Sequence, residues 1–414
     1  MKPSNRREFL KRSTAAGVGL TTAGFSPRRI FARESSGFHR VVYRDLGSTG
    51  YKTTEIGLGS ARIKDAALIE AAIDAGINYI DTSHIYMKGA SEEAIGQVMK
   101  TKRDKVFLAT KIRVLEGLEI EKMGKGYFSI KNAPQKIETS LKRLQTDHVD
   151  LLLLHLGSLL GIGQNISDEH NLEQVLSDDV LEIFDNARKK GQTRFVGVAT
   201  HHVEVLDAIS DSKFWDAALV TYNYFSSPEV FEAIKKTREA GIAVIGMKNL
   251  LNIHTRPWDK FKDIREDKTS KITPEQALIK FALENKYIDT TLLGISSFEE
   301  LEDDLAIMGT KLTFDDRRLL RRYSERLKGY YCCGLSGCTG CRGKCPKGVE
   351  VNEINRCLGY AYGYDDIELA QENYQNLQSS NHVGMCADCD ECMVKCVNGL
   401  NLTENIQKAR ILFT

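Results

Sequence analysis

Ten cysteines, all at or beyond Cys332, carry the most demanding chemistry in this 414-residue chain. Cys386, Cys389, Cys392 and Cys396 read C-x2-C-x2-C-x3-C. Cys338, Cys341 and Cys345 read C-x2-C-x3-C, with Pro346 next. A cubane iron–sulfur cluster needs four converging thiolates. A short run of this kind wraps one backbone turn around three corners, and its fourth cysteine serves a second cluster. The spacing therefore predicts two [4Fe–4S] clusters. One would take Cys386, Cys389 and Cys392 with Cys345. The other would take Cys338, Cys341 and Cys396 with either Cys333 or Cys332, because Leu335 stands where a regular run has its first cysteine. Val397 replaces a second proline. Zinc sites favour two C-x2–4-C pairs split by a spacer, and disulfides suit an exported chain but not thiols crowded at these intervals. Cys357 reads as a small buried side chain.

A second set lies upstream. Asp81, Lys111 and His155 each end or closely follow a short apolar run, and Tyr86 lies five residues past Asp81. A tyrosine near pKa 10 transfers protons poorly at neutral pH unless its surroundings are tuned. A lysine held by an aspartate would stabilise the tyrosinate, while a histidine orients a carbonyl or gives a proton in the tyrosine's place. Charge develops on the substrate oxygen, so fixed donors there lower the barrier most. Run backwards, the same set oxidises an alcohol, and it requires no metal.

Such a set needs strand ends that meet at one mouth. Apolar runs at 55–60, 77–81, 106–110, 149–155, 195–199, 217–221, 242–246 and 291–294 alternate with amphipathic helical stretches. That pattern predicts a (β/α)8 TIM barrel, whose chemistry sits at the carboxyl ends of the strands. A doubly wound sheet would need a glycine-rich phosphate turn after its first strand, whereas Gly57 and Gly59 fall inside that strand. A helix at 313–327 leads into the cysteines. The expected division is an export signal and linker at 1–34, a barrel at 41–328 and a small helical and loop iron–sulfur module at 329–414.

The chain opens Asn5-Arg6-Arg7-Glu8-Phe9-Leu10-Lys11, followed by a weakly apolar stretch at 13–25. This resembles a twin-arginine export signal, an address read by a receptor; the stretch is too short and polar for a permanent span. Export of a folded, cluster-loaded protein to the periplasm or another extracytoplasmic space is the expectation, with a loose membrane tether if the signal stays. Residues 1–34 carry eight Lys or Arg and two Glu, whereas the whole chain is only +1. The remainder is mildly acidic, which excludes a nucleic-acid surface. The oligomeric state is not legible.

The motifs Asp81-Thr82-Ser83-His84-Ile85-Tyr86, Ala109-Thr110-Lys111 and Leu153-Leu154-His155 resemble the aldo/keto reductases. So do the run from Tyr43 to Gly50 and that from Lys142 to Asp150. The tail is similar to the ferredoxin-like extension of one branch of that family. The resemblance implies catalysis by Tyr86, Lys111, Asp81 and His155 on a small carbonyl or alcohol. It further implies a nicotinamide cofactor, NAD(P)H, near Thr200, Met247, Lys248 and Ser296. The nucleotide side departs from the family pattern. Ala199-Thr200 replaces Ser-Asn, Leu219 a glutamine and Met247 a tyrosine. The basic residue near Ser296 that would meet a 2′-phosphate is absent, and Asp304 replaces an asparagine. Each lost buried hydrogen bond is worth about 1 kcal/mol, so the clusters and a redox protein partner are the alternative electron route. A non-catalytic binding scaffold is the third reading. Loops at 116–131 and 157–177 would lengthen the mouth. Trp258 with His254 and Arg256 would rim it, and Tyr360, Tyr362 and Tyr364 would pack the module on the barrel.

Overall fold

The computed structural model describes residues 40–114, 131–156, 168–250, 271–327, 332, 333, 338, 340–363, 366–375, 377 and 382–414. An antiparallel hairpin, β1 (Tyr43–Asp45) and β2 (Lys52–Thr54), precedes eight parallel strands. These are β3 (Ile56–Gly59), β4 (Tyr79–Asp81), β5 (Phe107–Ile112), β6 (Val149–His155), β7 (Thr193–Thr200), β8 (Ala217–Thr221), β9 (Ala243–Met247) and β10 (Thr290–Leu293). They pair in chain order and close a barrel, β10 returning to β3. Each expected apolar run is one of these strands, its ends shifted by at most two residues.

The strands sort their side chains with period two. Tyr79, Phe107, Ala109, Leu151, Leu153, Ala199, Leu219 and Ile245 fill the barrel interior. Ile80, Leu108, Leu152, Leu154, Val196, Val198 and Val244 face the helices. Large interior residues fit because other inward positions are glycines. A Cβ on Gly57 would lie 3.1 Å from a Tyr79 ring carbon, and one on Gly197 only 2.4 Å from the Ala217 carbonyl oxygen.

The outer layer comprises α1 (Ala66–Asp74), α2 (Ala90–Lys102), α3 (Ala133–Leu144), α4 (Asp168–Leu176), α5 (Asp178–Lys189), α6 (Val203–Ser212), α7 (Pro228–Glu239), α8 (Pro274–Glu284) and α9 (Phe298–Leu305). A further helix, α10 (Phe314–Leu327), packs Leu319, Leu320 and Tyr323 on Ala277 and Leu278 of α8. There Lys280 and Asp316 form a buried ion pair of 2.7 Å. Beyond it lie α11 (Val351–Leu358), α12 (Ile367–Gln375) and α13 (Leu402–Phe413), around a separate core of Val351, Ile354, Leu358, Tyr374, Leu402 and Ile406. Cys357 is fully buried in that core, as a small apolar side chain would be. Among the described residues no helix is long and apolar enough to cross a membrane.

The expected loops at 116–131 and 157–177 lie mostly outside the described residues, as do the 1–34 segment, His254, Arg256, Trp258 and Tyr364; α4 is the described part of the second loop. The β1–β2 hairpin has no counterpart in the expected elements. Its turn drives Leu46 into the barrel interior. Gly47, at φ +52°, donates its N–H to Asp289 at 2.8 Å, and Asp289 also accepts from Val244 N and Arg238. Leu46→Ala should therefore cost about 2–5 kcal/mol in chemical denaturation. A change below about 1 kcal/mol would show that the hairpin is not a structural plug.

Candidate active site

Alternation along the strands delivers the candidate side chains to one mouth. Tyr79, Ala109 and Leu153 point inward, so Asp81, Lys111 and His155, each two residues on, point inward one layer higher. Pairing keeps these strand ends level, with Asp81 opposite Ala109, Lys111 opposite Leu153 and His155 opposite Ala199. Tyr86 follows on a short turn, where its N–H donates to Ser83 O at 3.0 Å.

Lys111 is the centre. Its side chain is 1% exposed, it pairs with the buried Asp81 carboxylate, and it donates to Thr82 O at 2.7 Å. Its ammonium lies 4.8 Å from the centre of the Tyr86 ring. Burial works against its charge, but Asp81 and then Tyr86 outweigh that and hold its pKa above the ordinary lysine value. The Tyr86 and His155 rings stand edge to face, 6.1 Å apart.

His155 is held by Ser83, whose hydroxyl lies 3.1 Å from Nδ1 and also donates to Lys111 O at 3.2 Å. Ser83 thus bears on which ring nitrogen carries the proton. Burial pushes His155 well below the usual imidazole range, and Arg113, Lys111, His84 and His201 add to this. His155 is therefore neutral at pH 7.

Three of these neighbours were not among the expected site residues. Arg113 follows Lys111 by two positions and His201 follows Ala199 by two, so the strand period that carries the tetrad carries them as well. His84 is anchored to Lys111 O at 2.9 Å through Nδ1. His201 Nδ1 lies 2.6 Å from Thr221 Oγ1, and its pKa is likewise pushed well down by burial, with Lys248, His202 and Arg356 adding.

The four residues expected at the nicotinamide divide. Met247 packs at the top of the barrel interior. Thr200 falls on the opposite strand face from Ala199, is buried, and accepts from His202 N at 3.0 Å; His201 takes the mouth position instead. Lys248, at φ +57°, sits 5.8 Å from the centre of the Tyr360 ring of the cysteine module. Tyr360 thus packs on the barrel as the tyrosine run predicts, whereas Tyr362 is 40% exposed. Ser296 gives both its N–H and its hydroxyl to the Glu300 carboxylate, each at 2.7 Å, at the start of α9. Nearby Asp304 is raised to about 8 by burial and by Glu300, Asp303 and Glu275.

The cysteines sort into two neighbourhoods. Asn398 bridges the first, its N–H 3.3 Å from Cys396 Sγ and its side-chain amide 3.7 Å from Cys338 Sγ. Cys333 belongs with them: its thiol is pushed up to about 12 by burial, then by Cys338 and Cys396. Cys341 is raised to about 11 by burial, then by Cys396 and Cys338. Cys386 is raised by burial, then by Cys345, Cys389 and Cys392, which form the second neighbourhood. Val397 packs where a Cβ on Gly340 would be 2.7 Å away. No disulfide joins any of the ten cysteines, and among the described residues no three His, Cys, Asp or Glu side chains are gathered closely enough to clasp a metal ion.

The neutral histidines set a pH dependence. Unfolded, His155 and His201 would titrate near 6.5; folded, both titrate well below it. As pH falls through 6.5 the unfolded chain takes up protons that the folded protein refuses, so stability falls. Denaturation midpoints at pH 7.5 and 5.5 should show this loss, and His155→Gln should make it smaller. An unchanged pH slope in that variant would contradict the burial of a neutral imidazole.

The aldo/keto reductase family model matches residues 49–324, leaving every cysteine beyond the matched stretch. Among curated relatives, the uncharacterized oxidoreductase YqkF of Bacillus subtilis is 23% identical, covering 68% of this chain and 96% of its own. The L-galactose dehydrogenase of Arabidopsis thaliana is 26% identical, over 64% of this chain and 88% of its own. An aldo-keto reductase structure from Klebsiella pneumoniae in complex with NADPH superposes with a TM-score of 0.53 at 23% identity, covering 69% of this chain and 95% of that one. With that family model matching two thirds of its length, this chain belongs to the aldo/keto reductase family.

Proposed function

We propose that this oxidoreductase interconverts a small carbonyl compound and its alcohol, with Tyr86 moving the proton at the substrate oxygen. The observation that carries this reading is the buried Lys111 ammonium, paired with Asp81 and stacked under Tyr86. In reduction, Tyr86 gives its phenolic proton to the oxygen as a hydride equivalent reaches the carbon. Lys111 stabilises the phenolate left behind, and Asp81 keeps the lysine charged in a site that would otherwise expel charge. His155, neutral and edge-on to Tyr86, orients the oxygen. Oxidation reverses each proton movement.

A bound nicotinamide would supply the hydride, and the apolar Met247 side chain would pack against its ring. The 2′-phosphate of NADP(H) does not fit near Ser296, whose two donors are taken by the Glu300 carboxylate beside Asp304. The spacing of the cysteines and their sorting into two neighbourhoods support two [4Fe–4S] clusters, whose assembly would draw together thiols that stand too far apart here to clasp an ion. Cys333, Cys338, Cys341 and Cys396 would hold one, and Cys345, Cys386, Cys389 and Cys392 the other, each run lending one cysteine to its neighbour's set. Such clusters pass single electrons. The module's Tyr360 beside Lys248 and Arg356 beside His201 favour a second reading, in which electrons enter from the module and a redox partner rather than from free nicotinamide. Export by the twin-arginine route to an extracytoplasmic space is part of the proposal. It rests on Arg6-Arg7 and the Phe9-Leu10-Lys11 that follows.

Tyr86→Phe should lower kcat by about 10²–10⁴-fold, with little change in melting temperature; full activity in that variant would end the acid–base reading. Anaerobic reconstitution should load about eight irons per chain, and Cys386→Ser should lose about half. Titration of the loaded protein with NADPH and NADH then separates the two electron routes. Saturation in the micromolar range supports nicotinamide, and no binding at millimolar concentration supports the module.

A further inference from the structure

Tyr86 stands on strained backbone. Met87 and Lys88 lie at φ +50° and +57°, and Gly89 follows at +98°. Two consecutive non-glycine residues in the left-handed region persist only where the surroundings over-determine them. On one side the loop is tied to β5: His84 N–H donates to Lys111 O at 3.2 Å, and Ser83 and His84 side chains reach the same oxygen. On the other side stands Arg143 from α3.

Arg143 Nη1 donates to His84 O at 3.1 Å and reaches Glu92 Oε2 at 3.4 Å. Glu92 is fully buried on α2, and its other oxygen accepts from Thr110 Oγ1, next to Lys111 on β5, at 2.7 Å. The guanidinium crosses Gly89 so closely that a Cβ there would lie 2.4 Å from its central carbon. Arg143 therefore spans both ends of the segment 84–89, and its carboxylate anchor is bonded to the strand that bears Lys111. A buried carboxylate facing a guanidinium holds its partner in one geometry more firmly than an exposed pair does.

We propose that Arg143 is a positioning residue: with Glu92, Thr110 and Gly89 it forms a latch that holds the Tyr86 loop in register with the Lys111 ammonium. This rests on the reading of Tyr86 as the proton donor. Arg143 comes from the helix layer and acts through where Tyr86 stands. A misplacement of a reacting group by about 1 Å costs roughly 10²-fold in rate, so the latch should affect kcat far more than KM.

The test pairs Arg143→Ala with Tyr86→Phe in the cluster-loaded full chain. The probe carbonyl is 4-nitrobenzaldehyde, and NADH, NADPH or reduced methyl viologen is the electron donor. Arg143→Ala should lower kcat by about 10–100-fold with KM nearly unchanged. In the Tyr86→Phe background the same change should cost almost nothing, because the group it positions is gone. Arg143→Lys should restore part of the loss. Hydrogen exchange provides a readout independent of turnover: the amides of Tyr86 and Lys88, bonded to Ser83 O and Ile85 O, should exchange faster in Arg143→Ala. Arg143→Met, which keeps the packing of the stem and removes the guanidinium, should reproduce both effects if Arg143→Ala folds poorly. Unchanged kcat and exchange in either variant, or an equal loss in both Tyr86 backgrounds, overturns the latch. Wild-type turnover in Tyr86→Phe alone would instead overturn the reading on which it rests.

Discussion

The buried ammonium of Lys111 is the constraint that organises the mouth. A cation in a nearly dry site costs several kcal/mol unless its protons and charge are matched. Its three N–H bonds allow three partners, and the fold provides three: the Asp81 carboxylate, Thr82 O and Tyr86. Two of them come from the end of β4 and one from the turn beyond it. The register of β4 against β5 and the path of the segment 83–89 must therefore both be correct before the lysine can remain charged. Loss of the Asp81 carboxylate would leave the ammonium buried and unpaired, so stability and proton chemistry share that one contact.

That coupling explains what was legible beforehand and what was not. The eight strands were readable because each is a short apolar run with a chemically distinct end, and Asp81, Lys111 and His155 lie at or beside such ends. Arg113 and His201 were equally readable in principle, since the period of two that points Lys111 and Ala199 inward points them inward too. Thr200 illustrates the same rule from the other side. Alignment of residue types put it at the nicotinamide, but its position one residue past Ala199 turns it towards the helices. The hairpin carrying Leu46 was hidden because three-residue strands leave no periodic signal, and its purpose depends on Asp289, more than two hundred residues away. Arg143 was hidden for a related reason. Its partners, His84 O, Glu92 and the open face of Gly89, come together only through packing of α2 and α3.

The cysteine module meets the barrel at a consequential place. Arg356 and Glu353, paired in the module, sit beside Tyr360, with Arg356 5.6 Å from the centre of the Tyr360 ring. Tyr360 in turn faces Lys248 at the end of β9, and burial of its hydroxyl is outweighed by Lys248 and Arg356, which lower its pKa. α11 thus has one side in the module core with Cys357 and another at the mouth. In a plain barrel that region would be open to solvent or to a dinucleotide. Here a tyrosine and an arginine from another part of the chain line it.

The nucleotide-side departures and this contact then have a common physical origin. A phosphate-binding region needs uncommitted donors and positive potential. At Ser296 the N–H and the hydroxyl are both committed to the Glu300 carboxylate. At Lys248 the cation is committed to the ring of Tyr360. The tetrad needs neither region: Lys111 is matched by Asp81, Thr82 O and Tyr86, and His155 is held by Ser83. Proton chemistry and cofactor recognition are therefore separable in this fold. The first is locked by a buried charge that cannot be altered piecemeal, whereas the second lies on loop ends and helix starts, where single substitutions cost little.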